Sequence, residues 1–195
     1  MGVEYELKFR ANEDVQQAIY RAYPGQETIY KMQTTYYDTP SRSLSARKYT
    51  LRRRMENDIS VCTLKAPAGG AARGEWEIPC EDITAAIPQL CALGAPTDLP
   101  ELVKDGVYAI CGAAFTRIAI LVQDGDCVLE LALDNGILTA GNRSVPLCEI
   151  EVELKKGSRE DANRFAAALA AAYGLQPEKR SKFRRALALA EGEAL

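Results

Sequence analysis

Among its 195 residues the chain has no histidine. That removes the Ser-His-Asp triad, the Cys-His dyad, histidine-ligated zinc and imidazole acid–base chemistry, leaving carboxylates, amines, guanidinium groups, hydroxyls or a bound metal for any catalysis. The six cysteines (Cys62, Cys80, Cys91, Cys111, Cys127, Cys148) lie 11 to 21 residues apart without a C-x-x-C pair. They are expected to be free, mostly buried thiols in a reducing compartment. No apolar run approaches the roughly 18 residues needed to span a bilayer, and Met1-Gly2-Val3-Glu4 is neither basic nor apolar, so a soluble, cytoplasmic protein that binds no membrane is the expectation. A net charge of −3 conceals 24 basic and 27 acidic side chains, so the overall field names no partner. What the chain does have, 47% hydrophobic residues, suffices for one domain over residues 1–195 with a sizeable core.

Strict alternation of Val3, Tyr5, Leu7 and Phe9 with Glu4, Glu6, Lys8 and Arg10 predicts a first strand over residues 2–10. Asn12 caps a helix that Pro24-Gly25 ends. Further strands are expected at 27–38, 48–56, 59–66, 74–80, 107–122, 126–134, 136–141 and 146–156, with tight turns at Asn57-Asp58 and Asp124-Gly125 and a Gly69-Gly70 loop. Short helices fill 82–106, Ser158 opens an alanine-rich helix that Gly174 stops, and a last helix contains Ser181-Lys182-Phe183-Arg184-Arg185. Eight or nine strands in under 200 residues point to an α+β domain with a largely antiparallel, closed or nearly closed barrel.

Because successive strand side chains face opposite ways, parity assigns each residue a side. Glu4, Glu6, Lys8 and Arg10 share a face; so do Arg52 and Arg54, and Val61, Thr63 and Lys65. Arg117, Glu130 and Asp134, and Glu149, Glu151 and Glu153, each oppose apolar neighbours. Carboxylates stacked at i, i+2 and i+4 repel unless something cationic neutralises them, and hard divalent cations such as Mg²⁺ or Mn²⁺ take oxygen ligands of this kind. With Lys8, Arg52, Arg54, Lys65 and Arg117 on what parity makes the same side, the surface suits a metal–polyphosphate complex: the acids hold the ion and the bases hold phosphate charge. Arg53 is expected outside this face. Glu75 and Glu77 are expected to line it or to pair with its bases, and Tyr36 and Tyr37 to be packing residues.

Glu4-Tyr5-Glu6-Leu7-Lys8 resembles the E-x-E-x-K signature of the CYTH superfamily, the triphosphate tunnel metalloenzymes. Tyr36-Tyr37-Asp38-Thr39-Pro40, Leu51-Arg52-Arg53-Arg54, Thr63-Leu64-Lys65-Ala66-Pro67, Arg117, Leu133-Asp134-Asn135-Gly136, Glu149-Ile150-Glu151-Val152-Glu153-Leu154 and Ser181-Lys182-Phe183-Arg184-Arg185-Ala186 resemble its later motifs in order. The resemblance implies an eight-stranded antiparallel barrel forming a tunnel, with flanking helices and a C-terminal helix near one mouth. It also implies Mg²⁺- or Mn²⁺-dependent triphosphate chemistry. By motif, Glu4, Glu6, Glu149 and Glu151, with Asp134 and Glu153, would ligate metal. Lys8, Arg52, Arg54, Lys65, Arg117 and Lys182, with Arg184 nearby, would grip phosphate. Glu4, Glu6 and Lys65 would be catalytic, Lys65 protonating or stabilising the leaving phosphate.

The expected reaction is hydrolysis of a triphosphate, foremost inorganic tripolyphosphate, with nucleoside triphosphates as poorer substrates. Members of the superfamily also hydrolyse thiamine triphosphate or cyclise ATP, and the absence of an evident aromatic platform beyond Trp76 favours the inorganic substrate. A non-catalytic polyphosphate- or nucleotide-binding module is the alternative of another class; the carboxylates argue against it, as the negative net charge does against nucleic acid. Oligomeric state is left open.

Overall fold

The computed structural model describes residues 5–68 and 73–193, so Glu4 and the Gly69-Gly70 loop lie outside the described residues. Alternating segments become strands β1 (Glu6–Arg10), β2 (Glu27–Asp38), β3 (Thr50–Glu56), β4 (Ile59–Pro67), β5 (Arg73–Pro79), β6 (Tyr108–Asp124), β7 (Cys127–Ala140), β8 (Arg143–Lys156) and the two-residue β9 (Gln176–Pro177). The helices are α1 (Glu13–Ala22), α2 (Ser43–Ala46), α3 (Ile83–Ala92), α4 (Leu99–Leu102), α5 (Arg159–Tyr173) and α6 (Lys182–Glu191).

The predicted caps act as predicted. Asn12 accepts the Val15 N–H at 2.9 Å, and Ser158 accepts the Asp161 N–H at 3.1 Å while Gly174 closes α5 in the left-handed region. Ser181 accepts the Arg184 N–H and starts α6. Asn57, at φ 53°, turns the β3–β4 hairpin. In the Tyr-Tyr-Asp-Thr-Pro segment the buried Asp38 carboxylate accepts N–H groups of Thr39, Leu44 and Ser45, which folds the turn into α2 and gives this motif a structural role.

All strands form one antiparallel sheet in the order β5-β4-β3-β2-β6-β7-β8-β1-β9. Two details refine the eight-stranded barrel that the resemblance implies. A ninth strand, Gln176–Pro177, pairs with Phe9 and Arg10. Because it occupies the outer edge of β1, where the Glu178 N–H also donates to the Lys8 carbonyl, that edge is not available to β5, and among the described residues the ring does not close by hydrogen bonds. The sheet curls instead, so that Glu6 and Lys8 near one edge and Glu75 and Glu77 on the other line the same cavity. The expected break between residues 134 and 136 is absent: β7 runs on through Gly136, where a Cβ would meet the Ala114 carbonyl oxygen at 2.1 Å.

Opposite faces of the sheet are buried in different ways. On the outside, Ile19 of α1 and Ala162, Ala166 and Leu169 of α5 pack on Phe9, Leu129, Leu131, Leu133, Ile150 and Val152. A second outer cluster sets Ile83, Ala86, Ile87 and Leu90 of α3 on Leu51, Cys62 and Leu64. The third lies inside the curl, where Phe183, Ala186, Leu187 and Leu189 of α6 cover Met32, Tyr36, Cys111, Phe115, Leu138 and Leu147. Thus α6 fills one end of the enclosed face, and its N-terminal residues Ser181, Lys182 and Phe183 reach the cavity. Among the described residues no helix is long and apolar enough to cross a membrane.

Candidate active site

The cavity has a volume of about 800 Å³, and most of its lining is charged. Glu6, Lys8, Arg52, Arg54, Lys65, Arg117, Glu151, Glu153 and Lys182 reach it, as do Glu75 and Glu77. Arg53 turns outward to the Glu81 carbonyl. Arg184 is exposed and does not reach the cavity; the inward role on α6 falls to Arg185, whose Nη1 donates to Glu149. Arg73, Glu56, Glu130 and Lys155 also line the cavity. Alternation placed Glu130 on this face, and along β5, β3 and β8 it could also have found Arg73, Glu56 and Lys155.

Behind one wall lies a buried carboxylate cluster, of which Glu151 reaches the cavity and Asp134 and Glu149 do not. Asp134 and Glu149 are opposite one another in the β7–β8 register, and with Glu151 each offers a carboxylate oxygen within 4.8 Å of the others. Their counter-charges are the chain's own. Arg117 forks onto Asp134 with two bonds of 2.7 Å and also donates to Glu151. The Lys182 ammonium lies 2.7 Å from Asp134 and 2.9 Å from Glu151, and bonds Glu149 as well. Burial opposes the charge of Lys182 and of Arg117, but the carboxylates outweigh it and raise both pKa values. Burial, helped by Glu151 and Asp134, raises Glu149 against the opposing pull of Lys182. At Glu151 burial also works upward, yet Lys182 and Arg117 prevail and hold it at about 2.

That depression has a measurable sign. With a folded pKa of about 2 against an ordinary 4.5, ionised Glu151 adds stability that is complete above pH 4.5 and drains away as pH falls towards 2. The contribution is about 3 kcal/mol near neutrality and about half that by about pH 3. Glu149, being raised, acts in the opposite sense. Urea unfolding of wild type and Glu151→Gln is therefore expected to show a stability gap that narrows on acidification; a gap of constant size would contradict the assignment.

A second acidic group, separate from the first, sits at the rim. Glu6 faces Glu153 across β1–β8, and Glu130 faces Glu153 across β7–β8. Lys155 bridges Glu130 and Glu153, and Lys8 pairs with Glu6. The metal-ligand set expected from the sequence is thus divided: Asp134, Glu149 and Glu151 meet, while Glu6 and Glu153 form the rim group.

The facing wall is cationic. Lys65 pairs with Glu75 at 2.9 Å, and Arg52 lies 3.6 Å from the same carboxylate, so Glu75 both lines the cavity and holds its bases. Arg54 pairs with Glu56, yet burial and the neighbouring Arg52 lower its pKa. The buried Nε atoms of Arg52 and Arg54 and the hydroxyl of Thr63 have no hydrogen-bond partner. Of these three residues Arg52 and Arg54 line the cavity and Thr63 lies behind it.

Two supports were invisible to strand parity because they come from outside the sheet's charged face. Gln16 of α1 is buried and its amide donates at 2.9 Å to the carbonyls of both Asp134 and Glu149, clasping the backbone under the carboxylate pair. Its replacement by leucine removes both hydrogen bonds to these carbonyls and is expected to cost about 1–3 kcal/mol, read as a lower urea midpoint. Glu178, also buried, joins Arg10 of β1 to the backbone N–H of Arg180 before α6. Sequence reading also missed an aromatic group, since Tyr30, Tyr36, Phe115 and Phe183 all line the cavity. Tyr36 and Phe183 pack at 5.0 Å, and burial raises the Tyr36 phenol, which makes it a wall rather than an acid. The cysteines are free, and burial pushes Cys62 and Cys111 up to about 12, far from reactive.

A curled antiparallel sheet around an ionic cavity, stoppered at one end by a helix, defines a tunnel-type β protein. The chain belongs to the CYTH domain family, whose profile matches residues 2–187. It is 33% identical over 140 residues to an inorganic triphosphatase of Haemophilus influenzae, the match covering 69% of this chain but only 39% of the relative's length. Among solved structures it resembles HpAC1 of Hippeastrum, described as an adenylyl cyclase candidate with a dominant triphosphatase activity (TM-score 0.62, 16% identity, covering 100% of this chain and 98% of that one). The PH1819 protein of Pyrococcus horikoshii OT3 is similar too (TM-score 0.59, 20% identity, 92% and 96% covered). At these identities the two structures speak for the fold.

Proposed function

We propose that this chain is a metal-dependent triphosphatase acting foremost on inorganic tripolyphosphate, with nucleoside triphosphates as poorer substrates. The observation that carries the reading is a single cavity in which Glu151, the member of a buried carboxylate cluster that reaches it, shares the lining with Arg52, Arg54 and Lys65. The family match and the activity of the Haemophilus influenzae relative support it.

The carboxylate oxygens of Asp134, Glu149 and Glu151 converge closely enough to suit a hard divalent cation, Mg²⁺ or Mn²⁺. Glu6 and Glu153 at the rim, with Glu4 beyond the described residues, are the remaining candidate ligands. Such a cation, when bound, supplies positive charge to phosphate oxygens. Arg52, Arg54 and Lys65 bind the phosphate chain from the facing wall, and Lys8, Arg117 and Lys182 neutralise it from the carboxylate side. Lys65 donates to the leaving phosphate. A rim carboxylate, Glu153, accepts a hydrogen bond from the attacking water and orients it. The rings that could hold an organic base are under 10% exposed at Tyr36, Phe115 and Phe183, so little ring face is left for one.

The test incubates purified protein with Mg²⁺ or Mn²⁺ and tripolyphosphate, ATP or thiamine triphosphate, measuring phosphate, pyrophosphate and cyclic AMP separately. Phosphate from tripolyphosphate is the expected product. Cyclic AMP with pyrophosphate would show a cyclase instead, and tight binding without turnover a non-catalytic module.

A further inference from the structure

Resting on that reading, we propose that Lys182 is a built-in occupant of the divalent-cation position, which it gives up only by transferring its ammonium to the triphosphate. The ammonium has three N–H donors and faces three carboxylates, Asp134, Glu149 and Glu151, each at bonding distance. These are the same three residues whose oxygens converge for a metal. A divalent ion of the Mg²⁺ type needs those oxygens at about 2.0–2.1 Å, which leaves no room for an ammonium held among them at 2.7–2.9 Å. The two cations exclude one another by geometry.

Charge points to Lys182 as the group that moves. Arg117, Arg185 and Lys182 together balance the three carboxylates, so a further two positive charges would leave the cluster in excess. Arg117 is held by its two-bond fork on Asp134. Arg185 lies between Glu149 and the buried Glu178, whose other partners tie it to β1. Among the described residues Lys182 has only the three carboxylates and the Phe115 ring face, at 5.0 Å, and a flexible stem at the first turn of α6 beside the cavity. Metal alone would strand its charge; metal with triphosphate gives it new oxygens to bind. The affinities for the two ligands are therefore coupled, and by linkage each raises the other.

Mn²⁺ is titrated into wild type and Lys182→Met without any phosphate, free Mn²⁺ being read by its paramagnetic resonance signal. The variant is expected to bind at least about tenfold more tightly, and to gain more than wild type in melting temperature on adding Mn²⁺. Lys182→Gln, which keeps a neutral donor beside the carboxylates, shows the same tightening and serves if the methionine variant folds poorly. At saturating Mn²⁺, calorimetry with an imidotriphosphate that cannot be cleaved should show at least about tenfold weaker binding by the methionine variant. Equal or weaker Mn²⁺ affinity in the variants overturns the exclusion, and equal affinities for the uncleavable triphosphate at saturating Mn²⁺ overturn the transfer. The Mn²⁺ arm needs no substrate, so its failure is distinct from failure of the triphosphatase reading, which would appear as wild type neither binding nor cleaving tripolyphosphate.

Discussion

Arg117→Met is expected to lower stability by about 3–5 kcal/mol. The side chain forks onto Asp134, which is fully buried, and bonds Glu151, which is nearly so. Removing the guanidinium leaves three buried carboxylates sharing Lys182 and Arg185, and neither can supply a planar fork to Asp134. An uncompensated buried charge, rather than the worth of the ion pair itself, sets the size of the effect. Arg117→Lys restores the charge without the fork and should recover only part of it. Urea unfolding at neutral pH measures both; a methionine variant within about 1 kcal/mol of wild type would show that the cluster relaxes or takes in water.

Glu151→Gln is expected to lower metal-dependent tripolyphosphate hydrolysis by at least about 100-fold at saturating Mg²⁺. The amide matches the carboxylate in size but cannot offer the same charged oxygen, and Glu151 is held ionised by Lys182 and Arg117 whereas burial raises Glu149. Lys182 also loses one of its three partners. Steady-state phosphate release, compared with the Mn²⁺ titration, separates lost affinity from lost turnover. A variant of undiminished rate would place the metal elsewhere, at the rim carboxylates Glu6, Glu130 and Glu153.

The paired replacements probe different depths of legibility. Alternation was enough to place Arg52, Arg54, Lys65, Arg117, Glu151 and Glu153 on one side of the sheet, because strand side chains reverse with every residue whatever the tertiary context. The same rule set Arg53 outside. It left the pairing open: Arg117 meets Asp134 because the β6–β7 register makes them opposite neighbours, and a shift of one residue would have turned them to different faces. Closure was also beyond reach, since Gln176–Pro177 has none of the length or alternation that marks a strand and still takes the edge of β1.

By itself the sequence determined most of the segments, their inward faces, the caps and the family, all properties of local order or of motifs read along the chain. Only the tertiary structure decided which cation answers which carboxylate. Lys182, Arg185 and Gln16 arrive from helices far along the chain from the strands they support, and no period in the sequence records where a helix packs. It decided as well that the stacked acids are neutralised from within: burial makes an unpaired carboxylate too costly to leave, so the fold brings its own cations to the place where the metal would bind.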